Sequence, residues 1–282
     1  MLDKITLPPV LLRYELKYIV PRDLIEPICH FIAPYCSMDY HSQLSQDHFY
    51  TVNSLYYDTR NYEFLNQRLW GKDTRFNMRV RTYGEGNTLS YYLEIKHKTG
   101  SAVKKYRAIA DLHEWPNILT DPFYEIDTSD SANEKCNKSL FIRLARSYEI
   151  EPKIFTQYRR LAFFSTVDEY ARLTMDCNMR YREQNQNTFF GNPYDLQDDY
   201  SLINYDNETI YSNEPNSGAN VILELKCYIG RVPMWMIDLI THFELTQIGF
   251  SKYVNASMIA LNDNGVKYMP RDRVGYKFGA DT

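Results

Sequence analysis

The chain has 282 residues, 44% of them apolar, 25 tyrosines and a formal net charge of −4. That length suits one large domain or two small ones with a sizeable core, and the negative balance argues against a general nucleic-acid binder. Five scattered cysteines (Cys29, Cys36, Cys136, Cys177 and Cys227) form no CxxC pair and have no histidines at zinc-ligand spacing, which fits free thiols in a reducing compartment. The N-terminal stretch has no long apolar segment of the signal-peptide kind, and no run of about 20 apolar residues occurs to span a membrane. A soluble, cytoplasmic protein is the expectation.

In chain order, "VLLRYELKYIV" reads as a strand and "PRDLIEPICHFIAPY" as a helix with Pro21 near its first turn. "HFYTVNSLYYDT" is a strand rich in β-branched and aromatic residues, and "NYEFLNQRLW" a short helix. Three strands follow, "FNMRVRTY", "LSYYLEIKHK" and "AVKKYRAIAD". Gly84-Glu85-Gly86-Asn87 and Thr99-Gly100-Ser101 are the turns of this antiparallel meander. Residues 111–130 read as irregular, then "NEKCNKSLFIRLARSYEI" as a helix. "KIFTQYRRLAFFS" and "ARLTMDCNMRYRE" form a hairpin around Val167-Asp168-Glu169. Residues 184–219, rich in Asn, Asp, Ser and Gly, read as a long surface loop or insertion. "NVILELKCYIG" is a strand, "PMWMIDLITHF" and "SKYVNASMIALN" are helices, and 263–282 is an exposed tail. No linker divides the chain, so a single domain over 1–282 is expected. A weak echo, "YELKYIVPRDLIEPI" against "LELKCYIGRVPMWMIDLI", hints at two related halves.

Five strands carry charge on alternate residues, and alternate residues share a face. Arg13, Glu15 and Lys17 fall together, as do Arg79 with Arg81, Glu94 with Lys96 and Lys98, and Glu224 with Lys226. In "RLTMDCNMRYR" the shared face is Arg172, Thr174, Asp176, Asn178, Arg180 and Arg182. An ordinary sheet, apolar inside and charged outside, explains any one of these strands. Five of them, with Glu-x-Lys repeated three times and several amphipathic helices that must cover something, favour another arrangement. Helices cover the apolar faces and the charged faces line a concave groove or closed barrel, an α+β fold. Such a lumen gathers cations whose repulsion only a polyanion relieves, with the acidic residues too few to neutralise them. Arginine forks, lysine charges and carboxylates able to hold a divalent metal suit a chain of phosphates. Lys104, Lys105 and Arg107 are as readily explained by a solvated face. No GxxxxGK[ST], GxGxxG or GxSxG motif offers competing chemistry.

The ordered series "RYELKYIV", "SLYYDT", "MRVRTYG", "LEIKHKTG", "YRRLAF", "RLTMD", "LELK" and "FSKY", over about residues 11–260, resembles the VTC domain. This is the polyphosphate polymerase branch of the triphosphate tunnel metalloenzymes. The resemblance implies an antiparallel β-barrel with a basic tunnel, flanked by helices. It also implies ATP and inorganic polyphosphate as ligands, with Mn²⁺ or Mg²⁺. Carried over by motif, Lys17, Arg79, Arg81, Lys96, Arg160, Arg172 and Lys252 are phosphate ligands. Glu224 is the metal ligand, with Lys226 beside it. Lys98 joins the phosphate set from the same strand face as Lys96, and Glu15 and Glu94 are further metal candidates. Family members often work with a membrane partner. Hydrolytic tunnel enzymes often begin Glu-x-Glu-x-Lys, and here Arg13 stands at the first position. That substitution removes a carboxylate and favours the polymerase branch.

Three functions remain open on the sequence. A polymerase moves the γ-phosphoryl group of ATP onto a growing chain, with Arg79, Arg81, Lys96, Arg160, Arg172 and Lys252 at the reacting phosphates. A tunnel triphosphatase or polyphosphatase uses water, and needs a carboxylate such as Glu15 or Glu94 as base. A non-catalytic sensor keeps the cations without productive metal geometry.

Overall fold

The computed structural model describes residues 13–84, 90–100, 102–184, 194–196, 201–204 and 219–263. The first half of the chain runs β1 (Arg13–Pro21), α1 (Ile25–Ile32), β2 (Cys36–Met38), α2 (Tyr40–Leu44), β3 (Tyr50–Asp58), α3 (Glu63–Leu69), β4 (Thr74–Tyr83), β5 (Tyr91–Thr99) and β6 (Ala102–Ala110). The second half runs α4 (Asn117–Thr120), α5 (Ala132–Ser147), β7 (Glu151–Ser165), β8 (Ala171–Glu183), β9 (Ile203–Asn204), β10 (Ala219–Tyr228), α6 (Met234–His242) and α7 (Lys252–Asp263).

The strands form one antiparallel sheet in the order β1-β10-β8-β7-β3-β4-β5-β6, with β2 on β7 and β9 on β8. The β4-β5-β6 meander follows the expected pairing, and Gly100, at φ 56°, supplies the left-handed residue of its second turn. Beyond Gly84 the first turn lies outside the described residues, as do most of 184–219 and the tail after Asp263. Within 184–219 the described residues are not all surface. Leu196 is buried, and the Tyr194 carbonyl accepts a hydrogen bond from Trp115 Nε1 at 3.1 Å.

The sheet curls around its charged face but is not a closed barrel. Among the described residues β1 and β6, the ends of the order, do not pair. Each free edge is covered instead, which blocks edge-to-edge association. The segment before α7 donates Ile248 N to Lys17 O (2.8 Å) along β1. On β6, Ile109 N donates to Glu134 and Arg107 O accepts from Asn137, both on α5.

The outward residues of the strands make two cores. Leu173, Met175, Leu223, Leu225 and Val20 pack under α1 and α6. Val80, Leu93, Ile95, Leu55 and Phe155 pack under α4 and α5. A third core lies on the inner side, where α7 sets Tyr253, Val254 and Ala256 against Tyr56, Tyr158 and Ile222. Asp58 ties this plug to α3, accepting from Phe64 N and Leu65 N (both 2.9 Å) and from Tyr253 Oη (2.6 Å).

β8 departs from strict alternation in its middle. Asn178 sits at φ 52°, and the β7–β8 register slips between Gln157 and Arg159. This bulge reverses the faces of everything after it. Leu173, Met175 and Cys177 belong to the outer core, whereas Met179 and Tyr181 belong to the inner one. Arg182 therefore does not share a face with Arg172 and Asp176. It turns outward, over the Phe155 ring and toward Gln184.

The sequence echo has a structural counterpart. The two Glu-x-Lys segments are neighbours, β1 and β10, paired so that Glu15 faces Lys226 and Lys17 faces Glu224. Opposite charges directly across an antiparallel pair stabilise its register.

Candidate active site

Alternation on a curled sheet brings one side of β1, β3, β4, β5, β7 and β10 to a common cavity of about 390 Å³. Arg79 and Arg81 reach it from β4, and Lys96 and Lys98 from β5. Glu15 and Lys17 come from β1, Glu224 and Lys226 from β10, and Arg160 from β7. Lys252, the first residue of α7, completes the wall beside Tyr158, its ammonium 4.4 Å from the ring centre.

Two residues singled out from the sequence lie elsewhere. Arg172 is across from Lys226 in the sheet, yet outside the cavity wall. Asp39 accepts from its guanidinium at 3.2 Å, and the group stacks 4.6 Å from the Phe164 ring centre. Glu94 stands behind the wall, 2% exposed, and is held by three cations: Arg79 (2.7 Å), Lys105 (2.6 Å) and Arg107 (3.3 Å).

The lumen is not an uncompensated cloud of positive charge. Lys96 pairs with Glu15 at 2.7 Å, spanning from β5 to β1 across the mouth of the curl. Glu224 lies 3.2 Å from Lys226 and 3.9 Å from Lys17. Asp176, wholly buried, accepts from Arg160 Nε (2.6 Å) and Nη2 (2.8 Å) and from Lys252 Nζ (2.6 Å). Four carboxylates thus fix most of the cations in place. Arg81 is different: its Nε donates to Ser54 Oγ at 3.0 Å, Tyr158, Tyr83 and Tyr56 stand around it, and Glu94 acts on it only from beyond salt-bridge reach.

These neighbours set the ionisation of the wall. Burial alone would raise the carboxylates, but the cations outweigh it. Glu15 falls to about 2 beside Lys96 and Lys226, and Glu94, Glu224 and Asp176 also lie below the usual range. Burial pulls the Lys17 ammonium down to about 8 despite Glu224. The same cause brings Lys105 to about 8.

Lys17 therefore makes anion binding sensitive to pH. Metal-free tripolyphosphate should bind more weakly as pH rises through about 8 and the ammonium is lost. Stability of the unliganded chain should move the other way. Between about 8 and 10.5 the unfolded chain holds the Lys17 proton that the folded chain has released, so this residue's contribution rises with pH. Titration calorimetry on either side of pH 8, beside denaturant melts, reads both. Affinity that stays flat across pH 8 would mean that Lys17 does not meet the anion.

Among the described residues no three His, Cys, Asp or Glu side chains converge as a metal cage. Glu15 and Glu224 come closest to a donor set: both line the cavity, from adjacent strands, and each feels the other's charge. One or two carboxylates completed by substrate phosphates is how Mg²⁺ is ordinarily held. The pair fits that use. Glu94 does not, because it stands behind the cavity wall rather than in it.

The VTC domain model matches residues 12–261. The chain belongs to the VTC domain family. Membership points to a polyphosphate-related tunnel fold with nucleotide or polyphosphate ligands and use of a divalent cation. Among solved structures, a Bacillus halodurans protein described as "putative adenylate cyclase" is similar at 10% identity, covering 86% of this chain and 95% of its own, with a TM-score of 0.47. The PH1819 protein of Pyrococcus horikoshii is similar at 8% identity, covering 89% and 99%, with a TM-score of 0.42. No curated protein matches the chain. Among the described residues of this VTC domain, no helix is long and apolar enough to cross a membrane.

Three contacts that shape the candidate site were not legible in the sequence. Asp176 was visible as an acidic residue on a cationic face; Arg160 lies directly across from it in the β7–β8 hairpin, but its other partner, Lys252, comes from a distant helix. Lys105 and Arg107 meet Glu94 because β6 is its neighbour, with Glu94 directly across from Arg107. Asp39 caps the five-residue α2, accepting from Ser42 N at 2.9 Å, and so short a helix leaves little periodicity to read.

Proposed function

We propose that this VTC domain is a polyphosphate polymerase that transfers the γ-phosphoryl group of ATP to the end of a polyphosphate chain. A terminal phosphate oxygen of the chain attacks the γ-phosphorus, the bond from that phosphorus to the β,γ-bridging oxygen breaks, and ADP leaves. The acceptor is already an anion and needs no base. Arg79, Arg81, Lys96, Arg160 and Lys252 hold the reacting phosphates in line and offset their charge, with Lys17, Lys226 and Lys98 along the track. Arg172 is the next cation beyond Lys226 and reaches phosphate only by leaving Asp39. Glu224 with Glu15 would hold the Mn²⁺ or Mg²⁺, which when bound supplies further charge neutralisation to the donor phosphates.

The observation that carries this reading over hydrolysis is the state of the carboxylates. Water must lose a proton to attack, and a base for it needs a pKa near the working pH. Glu15, Glu94, Glu224 and Asp176 are all engaged by cations and pushed below the usual carboxylate range. They are poor bases and good anchors. Incubation of the pure protein with ATP and Mn²⁺ should yield ADP and a ladder of long anionic product. Free phosphate without a ladder would replace this reading with a hydrolase, and absence of turnover with a sensor.

A further inference from the structure

The cation track runs past the residues that a triphosphate needs. On β4 and β5 the inward rungs are Arg79 opposite Glu94, Asn77 opposite Lys96, and Arg75 opposite Lys98. Rungs on one face are about 7 Å apart, so Arg81 to Arg75 spans roughly 20 Å of strand. The α3 helix, packed against β4, adds Arg68 to the same end of the cavity wall.

Arg13 and Arg81 apart, this end differs from the rest of the cavity in its charge. Arg79, Lys96, Arg160, Lys252 and Lys226 each have a carboxylate partner. Among the described residues Arg68, Arg75 and Lys98 have none in salt-bridge reach. Arg75 donates only to the Lys72 carbonyl. Like charges directly opposite in an antiparallel pair are destabilising, and Arg75 faces Lys98 in just that relation. Burial and then mutual repulsion depress both Arg68 and Lys98. A neutral purine would not relieve three like charges. A run of phosphates would.

We propose that Arg68, Arg75 and Lys98 form a phosphate station at the cavity mouth that holds the distal part of a linear polyphosphate chain and not the nucleoside triphosphate. The station rests on the polyphosphate reading of the site and extends it: it gives the growing chain its own anchor, separate from the donor.

The test is metal-free binding of two probes, tripolyphosphate and a long-chain linear polyphosphate, to the wild type and to the Arg68→Gln/Arg75→Gln variant. The variant should lose about tenfold or more in affinity for the long chain, roughly the worth of one charge-assisted hydrogen bond, while its tripolyphosphate affinity changes little. Its melting temperature should stay level or rise, since mutual repulsion has gone. Equal losses for both probes would make these arginines part of the triphosphate site and overturn the station. So would no loss for either, or a wild type that binds the long chain no tighter than tripolyphosphate. The assay contains neither ATP nor metal. A wild type that binds chains as expected but makes no ladder from ATP would sink the polymerase reading and leave the station standing.

Discussion

Asp176→Ala should destabilise the domain by about 3–5 kcal/mol, the usual result of removing one partner from a buried ion cluster. Asp176 is wholly buried, and its two oxygens take three hydrogen bonds from Arg160 and Lys252. Without it two cations remain inside the sheet with no carboxylate, and α7 loses its tie to β8. Phosphate transfer should fall with it, because both cations would lose their positions. Urea melts read the first effect and turnover the second. Asp176→Asn keeps the shape and part of the hydrogen bonding, and should lie between the two. The wild-type carboxyl titrates below its ordinary 3.8. Its contribution is therefore complete above that value and lost as pH falls below it. A variant as stable as the wild type would mean that Arg160 and Lys252 find other partners.

Glu224→Gln should cut turnover by more than about a hundredfold, beyond what losing a mere supporting partner of a metal ligand costs. It keeps the size and one acceptor oxygen but removes the charge that draws a divalent cation. Tripolyphosphate binding without metal should persist or tighten, since an anion has left the cavity and Lys17 and Lys226 are released. The separation matters, because a residue that only paired with Lys226 would alter binding and turnover together. Near wild-type turnover with unchanged Mn²⁺ dependence would transfer the ligand role to Glu15.

Much of the cavity wall was legible because it is written in strand alternation, a local property. Glu15 and Lys17, Arg79 and Arg81, Lys96 and Lys98, and Glu224 and Lys226 share faces by spacing alone, and Leu16, Val80 and Leu225 between three of these pairs mark the other side. The reading failed where alternation failed. One left-handed residue, Asn178, moves Arg182 to the opposite face, and no strand pattern announces a bulge. It also failed where the partner was distant. Counting charges made the lumen look starved of carboxylates, but pairing depends on which strands are neighbours. Asp176 meets Lys252 from 76 residues away, and Glu94 meets Lys105 and Arg107 through the next strand of the meander.

The unpaired ends of the sheet have a mechanical meaning. A barrel closed by backbone hydrogen bonds is a ring, and a chain enters a ring only by an end. This sheet has a C-shaped section, with β1 and β6 as its lips and the Lys96–Glu15 contact as a latch between them. Among the described residues, widening the section would break that ion pair while the ladders between paired strands stay intact. Its softest direction is therefore sideways, and on the polymerase proposal a long chain would be gripped or released along its length rather than threaded.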